Sequence, residues 1–565
     1  MPCVLPSCSS HSSSFNYPDT SEKKGEKEMQ DIRAASKPGS PEACCAHDQP
    51  KDIRDQDENA QHSSSRDELA PFSPPQALRH VPAPPRKSTD VRIFMCGDVM
   101  LGRGIDQVLS HPSHHIIHED LCHSALDYVA LAEERNGTIE KPLSPLTMWG
   151  AAIREIEKMQ PDVRIINLET SITTSSIYEP KGINYRMHPD NIGSLAPIGP
   201  DVICLANNHV LDFGEQGLIE TLNVLHRNNF ATAGAGAMNS EACRPAVIHL
   251  NEMESGGKGK TSSGLRKAEW EGMAIEYHEE GSKSGDGERE KRSWTDQGEE
   301  RIGGCQIGIT VPVGGLLEGK LKHKGQSRNS SALRKSDLDP YSGSMQAELK
   351  APREGAESLA PRILVFACCE RGSGVPEEWS AGPRKPGVWI ISLGRPRSQL
   401  ALIETIRGYH QENDIIIVSI HWGSNWGYHV HDSYRQFAHN LIDSGLVSIV
   451  HGHSSHHPRP IEIYCGRLIL HGCGDFINDY EGIQNPSYEI YRDDLPVMYF
   501  ADIDRKSGHL RGLLLVPLKI SQFRLHEAST TEGQWVASTL ERESKAFGVK
   551  AINFCAHKNI FRVEW

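Results

Sequence analysis

No apolar stretch in the 565 residues approaches the ~18–20 that a membrane-crossing helix needs, so no membrane segment is expected. No basic run stands out either, and the formal net charge is −14. A nucleic-acid partner therefore has no electrostatic footprint, and the acidity reads as solubility. The 14 cysteines include no C-x-x-C, and the two adjacent pairs, Cys44–Cys45 and Cys368–Cys369, suit neither a disulfide framework nor a zinc finger. They read mostly as buried small hydrophobes. The opening MPCVLPSCSSHSSS lacks the charged start and continuous apolar segment of a secretory signal, which makes the cytoplasm the expected compartment.

Two long segments also lack apolar periodicity. Residues 1–88 are rich in Ser, Pro, His and charge, as in SSSRDE and PFSPPQALRHVPAPPRKS. Such a stretch cannot bury enough apolar surface to offset its ordering entropy, so it is expected to be a disordered tail. Residues 251–361 read as a low-complexity insertion, with a strand expected only at 305–311. The remaining folded part is assigned to one domain over 89–525, with 526–565 as a C-terminal extension.

What is present is a repeated unit: a β-branched apolar run, a polar or glycine-rich stop, then a helical stretch. The runs are 91–99, 163–169, 201–208, 362–369, 415–422, 446–453 and 467–475. Continuous apolar runs of this length suit strands buried on both faces. In 214–229, Leu218, Leu222 and Leu225 share one helical stripe. In 432–445, Phe437, Leu441 and Ile442 do so, with Gly445 as the stop. Residues 496–505 and 510–519 read as an antiparallel hairpin, 534–547 as a helix and 559–564 as a strand. The expectation is a layered α/β fold, mixed β-sheets flanked by helices.

The chemistry stands at the strand ends. Five runs finish on a metal-competent side chain: Asp98, Glu169, Asn208, His421 and His453. In open α/β folds ligands gather beyond the carboxyl ends of the strands, so these residues can meet although distant in sequence. Hard oxygen ligands with neutral imidazoles suit Mn, Fe or Zn. Any one of these positions alone is better read as a helix cap or turn former; their joint occurrence carries the expectation. Between 421 and 457 there are also eight histidines, and the stretch His451-Gly-His453-Ser-Ser-His456-His457 is hard to explain by packing. Spacing alone leaves open which of these four are ligands.

The segments GDVMLGRGID, INLETSIT, LANNHVLDFG, SIHWGSNWGY, VHGHSSHHPRPIEIY and GCGDFINDYEG resemble, in order, the CapA-like family of capsule and poly-gamma-glutamate synthesis proteins. That family is similar in fold to calcineurin-like metallophosphoesterases. The resemblance covers about 89–250 and 362–525. It implies a layered metallophosphoesterase-like fold and two divalent metal ions. Asp98, Glu169, Asn208, His421, His453 and His456 are the implied metal ligands, and His209 is the catalytic residue assisting the leaving group. Arg103, Asn207 and Trp422 are the candidate substrate-binding residues. Two departures from the pattern stand out. Position 100 is Met where the phosphoesterase fold has a histidine ligand. The final pair is spaced by three, whereas His451 and His453 would give the usual two. The expected function is metal-dependent hydrolysis of a phosphoester or related anionic substrate, small molecule or polymer. The alternative is a binding or assembly protein with a degenerate metal site.

Overall fold

The computed structural model describes residues 85–119, 122–250, 361–483 and 486–565. The expected disorder of 1–84 and 251–360, and the strand expected at 305–311, lie outside the described residues. Residues 85–88 belong to the folded part: Arg86 pairs with Asp162 through both guanidinium ends. The fold therefore begins slightly earlier than composition suggests.

The chain first lays down four parallel strands, β1 (Asp90–Val99), β2 (Val163–Leu168), β3 (Val202–Cys204) and β4 (Ala231–Ala233). It then builds a second sheet around β5 (Arg362–Glu370), β6 (Ile415–His421), β7 (Val447–His453) and β8 (Arg467–Leu470), again parallel. The run at 467–475 is not one strand. It ends at Leu470, crosses between the sheets, and restarts as β9 (Asp475–Ile477), paired in parallel with the end of β1. The hairpin of β10 (Val497–Asp504) and β11 (Leu510–Ser521) forms as expected. It extends the first sheet on the other side of β1. The C-terminal segment is built into this fold rather than appended. Helix Thr530–Ser544 is followed by a hairpin whose strand β12 (Ile560–Glu564) pairs with β11. The result is a mixed α/β protein with two main sheets and helices outside them.

Strand alternation explains how the sheets pack. In β5 and β6 the even residues Leu364, Phe366, Cys368, Ile416, Val418 and Ile420 join a core with Leu402 and Ile406 of α1 (Pro396–Tyr409) and Phe437 and Leu441 of α2 (Asp432–Asp443). The odd residues Ile363, Val365, Ala367, Ile415 and Ile417 join the main core with Val91, Ile93 and Met95 of β1. The odd series ends in Ser419 and His421 on β6, and in His451 and His453 on β7. The polar ends thus lie between the sheets.

Two local features hold this end together. Glu462 accepts from Arg435 (2.9 Å) and faces His439 Nε2 and His471 Nε2, each at 2.8 Å. It ties the helix Asp432–Asp443 to the sheet edge and holds the half-buried His439 in a partly buried network. The second feature is the crossing at 471–474. A Cβ at Gly97 would lie 1.5 Å from the Gly474 carbonyl oxygen, and the Asp98 amide donates to that same oxygen at 3.0 Å. Only a glycine lets β1 approach this crossing.

Two predictions follow from these features. Gly97→Ala should destabilise by at least ~1–3 kcal/mol, the scale of overpacking. Gly408→Ala, in an exposed helical position with nothing within 4 Å of its Cβ, should instead be neutral or stabilising by up to ~1 kcal/mol. Chemical denaturation reads both, and equal effects would contradict the close approach at Gly97. The Glu462 carboxyl is pushed down to about 2, its hydrogen bonds to His471, Arg435 and His439 outweighing burial. A depressed folded value means stability that is fully present above the unfolded pKa of ~4.3 and lost as pH falls toward 2. Glu462→Gln should therefore cost roughly 2–3 kcal/mol at pH 7, and the gap to wild type should close between pH 4.5 and 2. A pH-independent gap would exclude the ionic contribution.

Candidate metal centre

The ends of β1, β2, β6 and β7 converge. One ligand atom each from Asp98, His421 and His453 lies within 4.8 Å of the others, and all three residues are buried. His453 Nδ1 is 3.6 Å from Asp98 Oδ1, and His421 Nδ1 is 3.8 Å from Glu169 Oε2. Asn167 Nδ2 donates to both carboxylates, to Asp98 at 2.7 Å and to Glu169 at 3.2 Å. Asn167 and Glu169 stand two apart, and that spacing puts two side chains on one side of an extended chain.

A hydrogen-bond chain between the sheets sets which histidine nitrogen faces this centre. His451 Nε2 lies 2.8 Å from the Cys96 carbonyl oxygen, which can only accept. His451 Nε2 must therefore carry the proton, and its Nδ1 accepts from Ser419 Oγ at 3.1 Å. Ser419, having donated there, accepts from His453 Nε2–H at 2.9 Å. His453 Nδ1 is then the lone-pair nitrogen, aimed at Asp98 and 3.0 Å from His421 Nδ1. If His421 Nδ1–H donates across that gap, His421 Nε2 is left as an acceptor, and this atom is buried without a partner. Asn208 Oδ1 is likewise buried and unpartnered.

The electrostatics agree with a centre built for a cation. Burial first, then Asp475, pushes the Asp98 carboxyl up to about 7, against the Asn167 hydrogen bond. Burial and then the neighbouring Asp98 raise Glu169 well above the carboxylate range. Burial holds His421 and His453 well below the imidazole range, so both are neutral. Buried carboxyls beside neutral imidazoles, with His421 Nε2 left without a partner, are the donor set a divalent transition metal takes. The residues present fit such an ion.

The remaining sequence candidates sit as follows. His209 stacks edge-on against Tyr185, its ring 4.3 Å away. Its Nδ1 lies 2.7 Å from Asp212 Oδ2, and its Nε2 lies 3.9 Å from Glu169 Oε1. Lys181 pairs with Asp212 at 2.8 Å and donates to the Asn208 carbonyl. Asp212 therefore orients His209 with Nε2 toward the centre. Burial, reinforced by Lys181 and Arg103, holds this imidazole well below its usual range. His456 stands beside the group of three, with Nδ1 at 3.0 and 3.2 Å from the two Asp475 oxygens. Although burial opposes it, Asp475 raises His456 to about 9. His457 is spent in structure: Nε2 accepts from the Gly427 amide and Nδ1 bonds the Pro458 carbonyl.

The three candidate substrate residues are engaged elsewhere. Arg103 grips Asp479 through Nε (3.1 Å) and Nη2 (2.6 Å), bonds Glu119 and Tyr128 through Nη1, and lies over the Tyr128 ring at 3.9 Å. It is a buried ion pair, which also holds Arg103 at a left-handed φ of 46°. Asn207 donates to Asn167 and the Leu168 carbonyl, and it accepts from the amides of His209 and Val210. Trp422 belongs to the outer core beside Phe437 and donates to the His471 carbonyl at 3.0 Å. None of the three offers a free polar group to the centre. Asn167, Lys181, Asp212, Ser419 and Ser454 were not singled out from sequence. Ser419 stands two before His421, and that spacing is the signal that could have found it. The Ser454 amide donates to Asp98 Oδ2 at 3.0 Å, a contact that no side-chain pattern reveals.

The fold and site together define a mixed α/β protein with a carboxylate–imidazole centre where two parallel strand bundles end. The chain belongs to the family described as bacterial capsule synthesis protein PGA_cap, whose model matches residues 92–303 and 321–480. A probable polyglutamine synthesis accessory protein from two strains of Mycobacterium tuberculosis is 34% identical over 467 residues, spanning 82% of this chain and 93% of the relative. The PGA biosynthesis protein CapA of Bacillus subtilis is 39% identical over 66 residues, 12% of this chain and 17% of that protein.

The hydrogen-bond chain predicts that Ser419→Ala weakens divalent-metal binding by roughly 10–100-fold, the usual effect of removing a group that orients a ligand histidine. Calorimetric titration with Mn²⁺ or Zn²⁺ measures this. Unchanged affinity would mean that His453 keeps its tautomer without Ser419.

Proposed function

We propose that this protein is a metal-dependent hydrolase acting on a phosphoester or related anionic bond in the service of polyglutamate or capsule-type polymer synthesis. The observation that carries this reading is the convergence of Asp98, His421 and His453 within 4.8 Å, with His453 Nδ1 turned inward by Ser419 and His451. Asp98, Glu169, His421 and His453 would hold a cation, and Asn208, whose buried Oδ1 has no partner, is the candidate amide ligand. When bound, a divalent ion supplies Lewis acidity toward a phosphoryl oxygen. His209 holds or moves a proton at Nε2 for the leaving oxygen, oriented by Asp212 from the Nδ1 side. Asn167 keeps the two carboxylates in fixed positions. The polymer link comes from the names of the family and its relatives. Among the described residues no helix is long and apolar enough to cross a membrane. The nine described cysteines are free, which suits a reducing compartment and supports a cytoplasmic location.

A second reading, a non-catalytic assembly protein with a degenerate site, is favoured by Met100. This residue is buried with its sulfur 3.8 Å from the Tyr480 hydroxyl, where a ligand histidine would stand in the phosphoesterase pattern. The Mycobacterium relatives are also named as accessory proteins.

Two variants separate the readings. His209→Ala should leave metal content nearly unchanged and lower phosphodiester hydrolysis by roughly 10²–10⁴-fold, the scale for losing a general acid or base. His421→Ala should lose metal and activity together. Metal analysis beside an assay on generic phosphoesters reads both. A protein that binds metal, hydrolyses none of a varied set and is indifferent to His209→Ala would establish the assembly reading instead.

A further inference from the structure

We infer that the cavity behind the His209–Asp212 pair is a binding site for inorganic phosphate, with Arg186 as its cation and Asn184 as the acceptor for a P–OH group. The inference does not depend on the metal-centre reading above.

The site is built on three consecutive residues. Tyr185 turns its ring to His209 and its amide to Asp212 Oδ2 at 2.6 Å. Asn184 and Arg186, on either side of it, line a cavity of about 30 Å³ with Phe213, Ile116, His114 and His118. This is the alternation of an extended chain, which sends neighbouring side chains to opposite sides. A water needs roughly 10–15 Å³ of such space. Two or three polar atoms therefore fit, which suits the oxygens of one tetrahedral oxyanion and not a larger organic molecule.

Asn184 calls for a donor. It is 5% exposed. Its Nδ2 donates to the carbonyls of Glu179 (3.1 Å) and Asp212 (3.3 Å). Two carbonyl acceptors on that side fix which amide atom is the nitrogen. Oδ1 is the atom left over, and it is buried without a partner. Arg186 calls for an anion. Its Nη1 and Nη2 donate to the carbonyls of Ser175 (2.9 Å) and His114 (3.3 Å), and its guanidinium lies over the Phe213 ring at 4.9 Å. Among the described residues it forms no ion pair. Burial, offset in part by Asp106, lowers Arg186 from its ordinary range. Asp106 is itself filled, accepting from the amides of His188 and Ser113 and from Asn191 Nδ2. Arg103, also in the lining, is matched by Asp479 and Glu119. One uncompensated guanidinium remains, and His114 and His118 stand exposed at the mouth.

A buried acceptor beside an unpaired cation selects an oxyanion that keeps a proton. Near neutral pH both ionic forms of inorganic phosphate carry a P–OH. Sulfate, carboxylates and the dianion of a phosphomonoester carry none. Arginine's forked N–H groups suit the phosphate oxygens, and the P–OH suits Asn184 Oδ1. A site that hydrogen-bonds a hydroxyl rejects the analogue lacking it, because its own buried polar atom then stays unpaired. The competing occupant is water, which would satisfy Asn184 but leave Arg186 without a counter-ion.

Calorimetric titration of the full chain with inorganic phosphate, sulfate and phenyl phosphate tests the site. The expected result is saturable phosphate binding, with the other two weaker by roughly 5–100-fold. Arg186→Gln should weaken phosphate binding by roughly 10–100-fold, and Asn184→Ala should bring phosphate down to the level of sulfate. His421→Ala, which disrupts the metal centre, should leave phosphate binding unchanged. If Asn184→Ala fails a circular-dichroism check of folding, the phosphate-to-sulfate ratio and Arg186→Gln still decide. Equal binding of phosphate and sulfate overturns the inference. So does an absence of binding at millimolar phosphate, which assigns the cavity to water. Binding that vanishes in His421→Ala and survives in Arg186→Gln also overturns it, since the anion then sits on the metal centre, and that outcome leaves the metal-centre reading intact.

Discussion

The arrangement depends on one line of hydrogen bonds across the sheet interface, from the Cys96 carbonyl through His451 and Ser419 to His453. A backbone carbonyl cannot donate, so every proton downstream of it has one allowed position. The line does two things at once. It pins the end of β7 against β1, and it turns a lone pair of His453 toward Asp98. The same polar groups would be a liability in a core if unpaired. Here each is satisfied until the chain reaches the centre, where His421 Nε2 is left without a partner.

The geometry around this line is bought with glycine. Gly97 and the left-handed Gly474 let β1, the crossing segment and the backbone at His457–Pro458 approach closer than any side chain would permit. That crossing also carries the chain from one sheet to the other between Leu470 and Asp475. A single polypeptide segment thus closes the sheet interface and delivers an acid beside Asp98. Fold and site share the same few residues, and substitutions there will act on stability and on metal binding together.

Much of this was legible in the sequence. The apolar runs read as strands, and they are strands buried on both faces, because a run without polar interruption has no solvent face to present. The helix stripes at Leu218, Leu222 and Leu225, and at Phe437, Leu441 and Ile442, are buried as their spacing implies. Asp98, Glu169, His421 and His453 meet because parallel strands carry their carboxyl ends to one edge. The limits were at boundaries and crossings. The run at 467–475 looked continuous because His471-Gly-Cys-Gly interrupts it with small and half-apolar residues rather than charge.

The sequence by itself determined the layered α/β architecture, the family, and the strand ends at which ligands can stand, since these follow from local periodicity and from motifs a few residues long. Tertiary structure decided what each polar group does. His451, His453, His456 and His457 are chemically alike within seven residues, yet one supports, one faces the acids, one pairs with Asp475 and one is spent on backbone. Arg103 could bind an anionic ligand until Asp479, 376 residues later, occupies its fork. The physical reason is that a side chain's role is set by its partners, and the partners of buried polar groups are brought by chain crossings that no local pattern encodes.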